Sequence, residues 1–214
     1  PSNPTGTTLN RDELNEIINT VSGRGGIVIV DEIYQGLVYD QKSETALSIS
    51  DHVIVINSFS KYFGMTGWRL GWTVVPESYL PQFEKLAQNF YLSPPTCSQY
   101  AALAAFNEKT LKELQKRRKE FQYRRDYLLP KLEELGFKIP AIPQGAFYIY
   151  ADCSALSPDS ELLAGELLEK AHVAIAPGLD FGKHEAKQYV RIAYTQPQER
   201  LQQAIERIKN YLDT

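Results

Sequence analysis

Apolar residues along this chain follow two spacings, and the change from one to the other marks its elements. Leu14, Ile17, Ile18 and Val21 fall at helical intervals, which predicts a helix over 9–21. Asn10 or Thr8 would cap it, and Gly23 lies beyond its end. The run Ile27, Val28, Ile29, Val30 follows glycines and leads into Asp31 and Glu32, the signature of a strand buried on both faces. Residues 52–57, HVIVIN, repeat it. A third strand over 70–75 follows without room for a crossover helix, so it should run antiparallel to the second. Helices are expected over 77–91 and 96–107, separated by Ser93, Pro94 and Pro95. A long charged helix over 109–135 should kink or break at Pro130. Beyond it, strands are expected near 137–139, 146–151, 173–175 and 189–194, with helices over 160–171 and 197–211. Pro197 would take the first helical position of the last one.

Composition narrows the classes. The chain has 214 residues, 43% of them hydrophobic and 11% aromatic, enough for a real core. A net charge of −3 offers no attraction for nucleic acid or an anionic membrane. Apolar runs are only a few residues long, so nothing spans a bilayer, and no signal peptide is visible. Cys97 and Cys153 form neither a disulfide framework nor a metal-ligand spacing, which fits a reducing cytoplasm. His52, His172 and His184 are scattered, so no metal is expected. The chain opens PSNPTG, and its single methionine is Met65, so a fragment of a longer protein is expected. Its pattern divides near residue 110: an incomplete first domain over 1–110, then a smaller α+β domain over 111–214.

The polar residues gather at strand ends. The first strand runs into Asp31, Glu32 and Tyr34, the second into Asn57, Ser58, Ser60 and Lys61. Ligands of open α/β sheets bind beyond the carboxyl ends of strands, so these side chains should share a crevice. Taken singly, an Asp after a strand is commonly a cap, and a Ser-Lys turn is commonly solvated. Arg191 lies in the apolar strand VRIAY, where a cation needs a partner. A local salt bridge or snorkelling would serve, as would an anionic ligand. Phe147 is either an apolar wall of a site or a core aromatic, and Trp68 and Trp72 are packing residues.

Together these residues resemble a family. Ser58-Phe59-Ser60-Lys61, followed by Gly64, Gly67, Arg69 and Gly71, is similar to the cofactor-lysine signature of class I/II aminotransferases. Asn3-Pro4-Thr5-Gly6 resembles their Asn-Pro-x-Gly turn, and Asp31 with Tyr34 their pyridine-side pair. Pro143-x-Gly145-Ala146-Phe147-Tyr148 and Val190-Arg191-Ile192-Ala193 resemble motifs of their small domain. The resemblance implies an α/β fold: the later portion of a fold-type I large domain with a mostly parallel sheet, plus a small α+β domain.

It also implies chemistry. Pyridoxal 5′-phosphate (PLP) would be the cofactor, carried by Lys61 as a Schiff base in a ping-pong transfer between an amino acid and a 2-oxo acid. Lys61, Asp31 and Tyr34 would be catalytic. Asn3, Asp31, Tyr34, Ser58, Ser60, Lys61 and Arg69 would hold the cofactor. Arg191, with Asn3, would receive the substrate α-carboxylate as a fork. The full-length protein would be a homodimer. Only the later part of the family pattern is matched, so the strands present should leave open sheet edges and exposed core. Two alternatives share the signature: a C–S lyase type of reaction, and the aminotransferase-like sensing domain of a transcription regulator.

Overall fold

The computed structural model describes residues 1–213. The chain divides into two compact units, one over Leu9–Arg118 and one built from Pro1–Thr8 together with the chain from Lys119 onward.

The first unit begins with helix α1 (Arg11–Ser22). Asn10 accepts from the Glu13 N–H at 3.0 Å, and the Glu13 carboxylate accepts from the Asn10 N–H at 2.8 Å. This reciprocal box satisfies two amides that the helix leaves open. Strand β1 (Val28–Asp31) pairs in parallel with β2 (Val53–Ser58), which pairs antiparallel with β3 (Gly71–Val74), as the short connection requires. Val28 and Val30 of β1 and Val53 and Val55 of β2 meet Leu14 and Ile18 of α1 in one apolar layer.

The expectation of a strand buried on both faces fails at β1. Ile29 is 59% exposed and Ile56 of β2 is 42% exposed, because α1 covers only one side of the sheet. The long link between β1 and β2 contains no α-helix. It holds itself instead through buried Glu32, which accepts from the Ala46 N–H at 2.7 Å and the Thr45 hydroxyl at 3.0 Å. Asp31 and Glu32 thus diverge: one carboxylate points outward, and its neighbour anchors the crossover.

A 3-10 turn over Glu77–Tyr79 precedes α2 (Leu80–Phe90), and α3 (Thr96–Ala105) follows. Their outer faces are strongly apolar, with Phe90 74%, Tyr100 73% and Leu103 68% exposed. Helix α4 (Glu108–Glu134) continues through Pro130, so of the expected kink or break the break does not occur. Pro130 and Asp126, whose carbonyl loses its partner, both lie on the exposed side, where water can accept the freed group.

The second unit takes the C-terminal part of α4. Strands β4 (Tyr148–Asp152), β5 (Ala176–Pro177) and β6 (Tyr189–Ala193) form an antiparallel sheet in the order β4-β6-β5. Helix α5 (Ser160–Ala171) packs on α6 (Gln198–Leu212) and against β5 and β6. Ile149, Ala151 and Val190 are fully buried beneath them. The strand expected near 137–139 is reduced to one bridge, Lys138 with Asp152, and the strand expected over 173–175 pairs later, at Ala176–Pro177. Pro197 is the cap of α6 rather than its first residue.

Residues 1–8 are tied into this unit by long-range bonds. The Gly6 carbonyl accepts from Gln144 N–H at 2.9 Å and Gly145 N–H at 3.0 Å. Gly6 has φ +70°, and a Cβ there would lie 2.6 Å from that of Pro143, so only glycine permits the approach. Buried Arg125 holds the other side, donating to the Pro143 carbonyl at 2.8 Å.

Two outcomes follow. Asn10→Ala removes an N-cap and should cost about 1 kcal/mol, read as a lower urea midpoint at unchanged slope. Burial pushes the Cys153 thiol up to about 11, whereas Cys97 is exposed. At pH 8 a thiol reagent should therefore label Cys97 in the native chain and Cys153 only after unfolding.

Candidate functional site

Lys61 sits in a reversal between β2 and β3 that is fixed from below. Phe59 is 7% exposed, and its ring meets those of Phe63 at 4.9 Å, Trp72 at 5.1 Å and Phe106 at 5.8 Å. Trp72 is thus a packing residue, while Trp68 is 46% exposed. The Phe59 backbone is held on both sides, its N–H on the Leu70 carbonyl at 3.1 Å and its carbonyl by the Met65 N–H at 3.0 Å. With Phe59 turned inward, Ser58 and Ser60 turn together: their hydroxyls lie 3.0 Å apart, and the Ser60 N–H donates to the Ser58 Oγ at 3.0 Å. Thr66 closes the turn by donating to the Ser60 carbonyl at 2.6 Å.

The structure places the Lys61 ammonium 5.7 Å from the centre of the Tyr34 ring. Tyr34 is buried just past β1, and Asp31 ends that strand with an exposed carboxylate that accepts from the Ile33 N–H at 3.0 Å. Gly36 lies flat against Tyr62, since a Cβ there would come within 2.3 Å of its ring, and Tyr62 also accepts from Gln115 at 2.8 Å. The loop after β1 and the lysine turn are thereby joined. Arg69 is exposed in a left-handed conformation (φ 52°), with one guanidinium nitrogen donating to the Thr66 carbonyl at 3.0 Å. Left-handed backbone at a non-glycine residue is costly and clusters at ligand sites. Ser98 steadies the same turn by donating to the Trp68 carbonyl at 2.6 Å.

This donor set fits an aldehyde-bearing aromatic phosphate. A primary amine, a carboxylate, a phenol, two adjacent hydroxyls and a guanidinium lie on the turn and strand ends of one unit.

The other unit brings Asn3 and Arg191 together. The Arg191 Nη1 donates to the Asn3 Oδ1 at 2.9 Å, which leaves the Asn3 amide NH₂ for another acceptor. The guanidinium carbon lies 4.3 Å from the Tyr148 ring centre and 4.5 Å from that of Phe181. Its Nε is buried and finds no acceptor. Burial, and then Tyr189, holds the neighbouring Tyr150 phenol above its ordinary value, so it stays neutral. Tyr150 and Tyr189 stack at 4.9 Å. Phe147 is half-buried, with ring contacts to Phe121 at 5.7 Å and Tyr148 at 4.6 Å. Sequence reasoning missed Tyr62, Gly36 and Phe181. An aromatic within the motif drew attention to Tyr148, but nothing local marks Phe181 as its counterpart.

Known proteins agree with these motifs. The family model "Aminotransferase class I and II" matches residues 1–208. A valine–pyruvate aminotransferase of Mycobacterium tuberculosis is 39% identical, over 99% of this chain and 55% of its own length. A (5-formylfuran-3-yl)methyl phosphate transaminase of Methanocaldococcus jannaschii is 37% identical, over 100% of this chain and 56% of its own. The crystal structure of an aminotransferase from Mycobacterium tuberculosis superposes with a TM-score of 0.96 at 39% identity, covering 100% of this chain and 56% of that one. The chain spans about half the length of the relatives it matches. Lysine turn, NPTG turn, the strand with Arg191 and the α/β architecture thus have one origin: the chain belongs to the class I and II aminotransferases, a family that uses PLP.

Proposed function

We propose that the protein moves an amino group between an amino acid and a 2-oxo acid with PLP as cofactor. The observation that carries this reading is the Lys61 amine, held beside the Tyr34 ring on a turn anchored by Phe59. The two curated relatives differ in the substrates they are named for, and what they share is amino-group transfer. That shared chemistry is the activity proposed.

When bound, PLP supplies an electron sink for charge that develops at the substrate α-carbon. The chain's own residues do the rest. Lys61 would hold the cofactor and supply an amine able to carry a proton at the substrate α-carbon. Asp31 would favour the protonated form of the pyridine nitrogen. Tyr34 and Asn3 would offer donors to the cofactor. Ser58, Ser60 and Arg69 would bind its phosphate, the guanidinium by charge-assisted bonds. Arg191, whose Nη1 donates to the Asn3 Oδ1, would receive the α-carboxylate.

The proposal includes a homodimer and a cytoplasmic setting. Unpaired Cys97 and Cys153 suit a reducing compartment. No helix among the described residues is long and apolar enough to cross a membrane.

Incubation with PLP, borohydride reduction and peptide mapping should place the label on Lys61, and label on another lysine would refute the assignment. Lys61→Ala should lose the cofactor's absorbance band and lower turnover by several orders of magnitude. Asp31→Asn should keep the fold, by circular dichroism, while PLP-saturated turnover falls at least about a hundredfold. Near wild-type turnover would remove Asp31 from the mechanism.

A further inference from the structure

The guanidinium of Arg191 lies among aromatic rings with no carboxylate of the described residues paired to it. Its charge is met by one neutral acceptor, the Asn3 Oδ1 at 2.9 Å, and by the faces of Tyr148 and Phe181 at 4.3 and 4.5 Å. Arg191 is half-buried, and a partly desolvated cation without a counter-ion is unfavourable, since ring faces offset only part of the lost hydration. The positive charge is therefore stabilised but not neutralised, and one buried donor, Nε, still lacks an acceptor. Tyr148 comes from β4, beside β6, so sheet pairing sets its place. Phe181 does not belong to the sheet. It ends the 3-10 turn Gly178–Asp180, with its N–H on the Gly178 carbonyl at 2.9 Å. That turn sits close because Gly178 has no side chain: a Cβ there would lie 2.2 Å from the Ala186 carbonyl and 2.8 Å from the Tyr150 hydroxyl.

We propose that Phe181 is a positioning residue for Arg191: with Tyr148 it clamps the guanidinium in one plane and keeps water off it, so that the fork meets a monocarboxylate already oriented. This rests on the reading of Arg191 as the carboxylate receptor. A flexible arginine loses side-chain freedom when it binds, and a clamp removes that loss before the ligand arrives. Exclusion of water also strengthens the attraction between guanidinium and carboxylate. Asn3 fixes one nitrogen, the two rings fix the plane, and the orientation of the fork is then set.

Both parts are tested on the full chain with pyruvate as probe, following the Arg191 Nε–H resonance by NMR. In the native chain this proton should exchange slowly with water and shift as pyruvate binds. Arg191→Lys should weaken pyruvate binding and delete the resonance, which also assigns it. Phe181→Ala should speed exchange of the Nε–H and weaken pyruvate binding about tenfold, the order expected when one long side chain must be ordered on binding. Phe181→Tyr should restore both. Circular dichroism monitors folding, and if Phe181→Ala unfolds, Phe181→Leu carries the test, since it keeps apolar volume without a π face. If Arg191→Lys weakens binding but the Phe181 variants leave exchange and affinity unchanged, the clamp is overturned and the carboxylate receptor stands. If Arg191→Lys leaves pyruvate binding unchanged, or pyruvate causes no shift in the native chain, the receptor reading falls and the inference with it.

Discussion

The burial of Phe59 is the constraint on which the lysine turn depends. Phe59 directly follows β2, and with its ring turned into an apolar cluster the flanking Ser58 and Ser60 hydroxyls come together beside it. Its ring is held by three other aromatics and its backbone by two hydrogen bonds. Four rings in such contact contribute more than area alone, because edge-to-face pairs add their own attraction. Lys61 can then be a flexible, polar side chain on a stiff base. The same division recurs after β1, where buried Glu32 fixes the loop and leaves Asp31 outward.

Much of the fold was legible where a single element decides its own form. The spacing of Leu14, Ile17, Ile18 and Val21 gives α1, and Asn10 with Glu13 gives its start. The direction of β3 follows from the shortness of its link to β2. Misjudgements arise where a neighbour decides. Nothing within residues 27–30 says that one face would meet α1 and the other would stay open, as Ile29 does. Residues 137–139 have the composition of a strand, but only Lys138 finds a partner. Pro130 was expected to kink or break α4, yet the helix continues, because an exposed site tolerates the missing bond.

The candidate residues divide in a similar way. Motifs marked Lys61, Asp31, Tyr34 and Arg191, because their chemistry is unusual for their local setting. What fixes them is ordinary in sequence. Gly36 beneath Tyr62, Gly178 beside Tyr150 and Phe181 over Arg191 are common residues whose meaning appears only through the contacts they make in the fold. The packing partners of a site are selected for shape, and shape leaves a weaker mark on sequence than reactivity does.

The tie between the first residues and the second unit has a consequence for synthesis. The Thr8 hydroxyl and the Gln144 side chain it donates to are 136 residues apart, and Asn3 and Arg191 are separated by 188. A ribosome adds about 5–20 residues each second, so Asn3 waits roughly ten to forty seconds for the arginine it meets. For most of that interval Gly6 has no Pro143 to pack against, and Pro1–Thr8 lacks the partners it meets in the second unit. The unit over Leu9–Arg118 has all of its own chain by then. The second unit is thus completed by a segment made long before the rest of it, and its closure waits on the strand that carries Arg191.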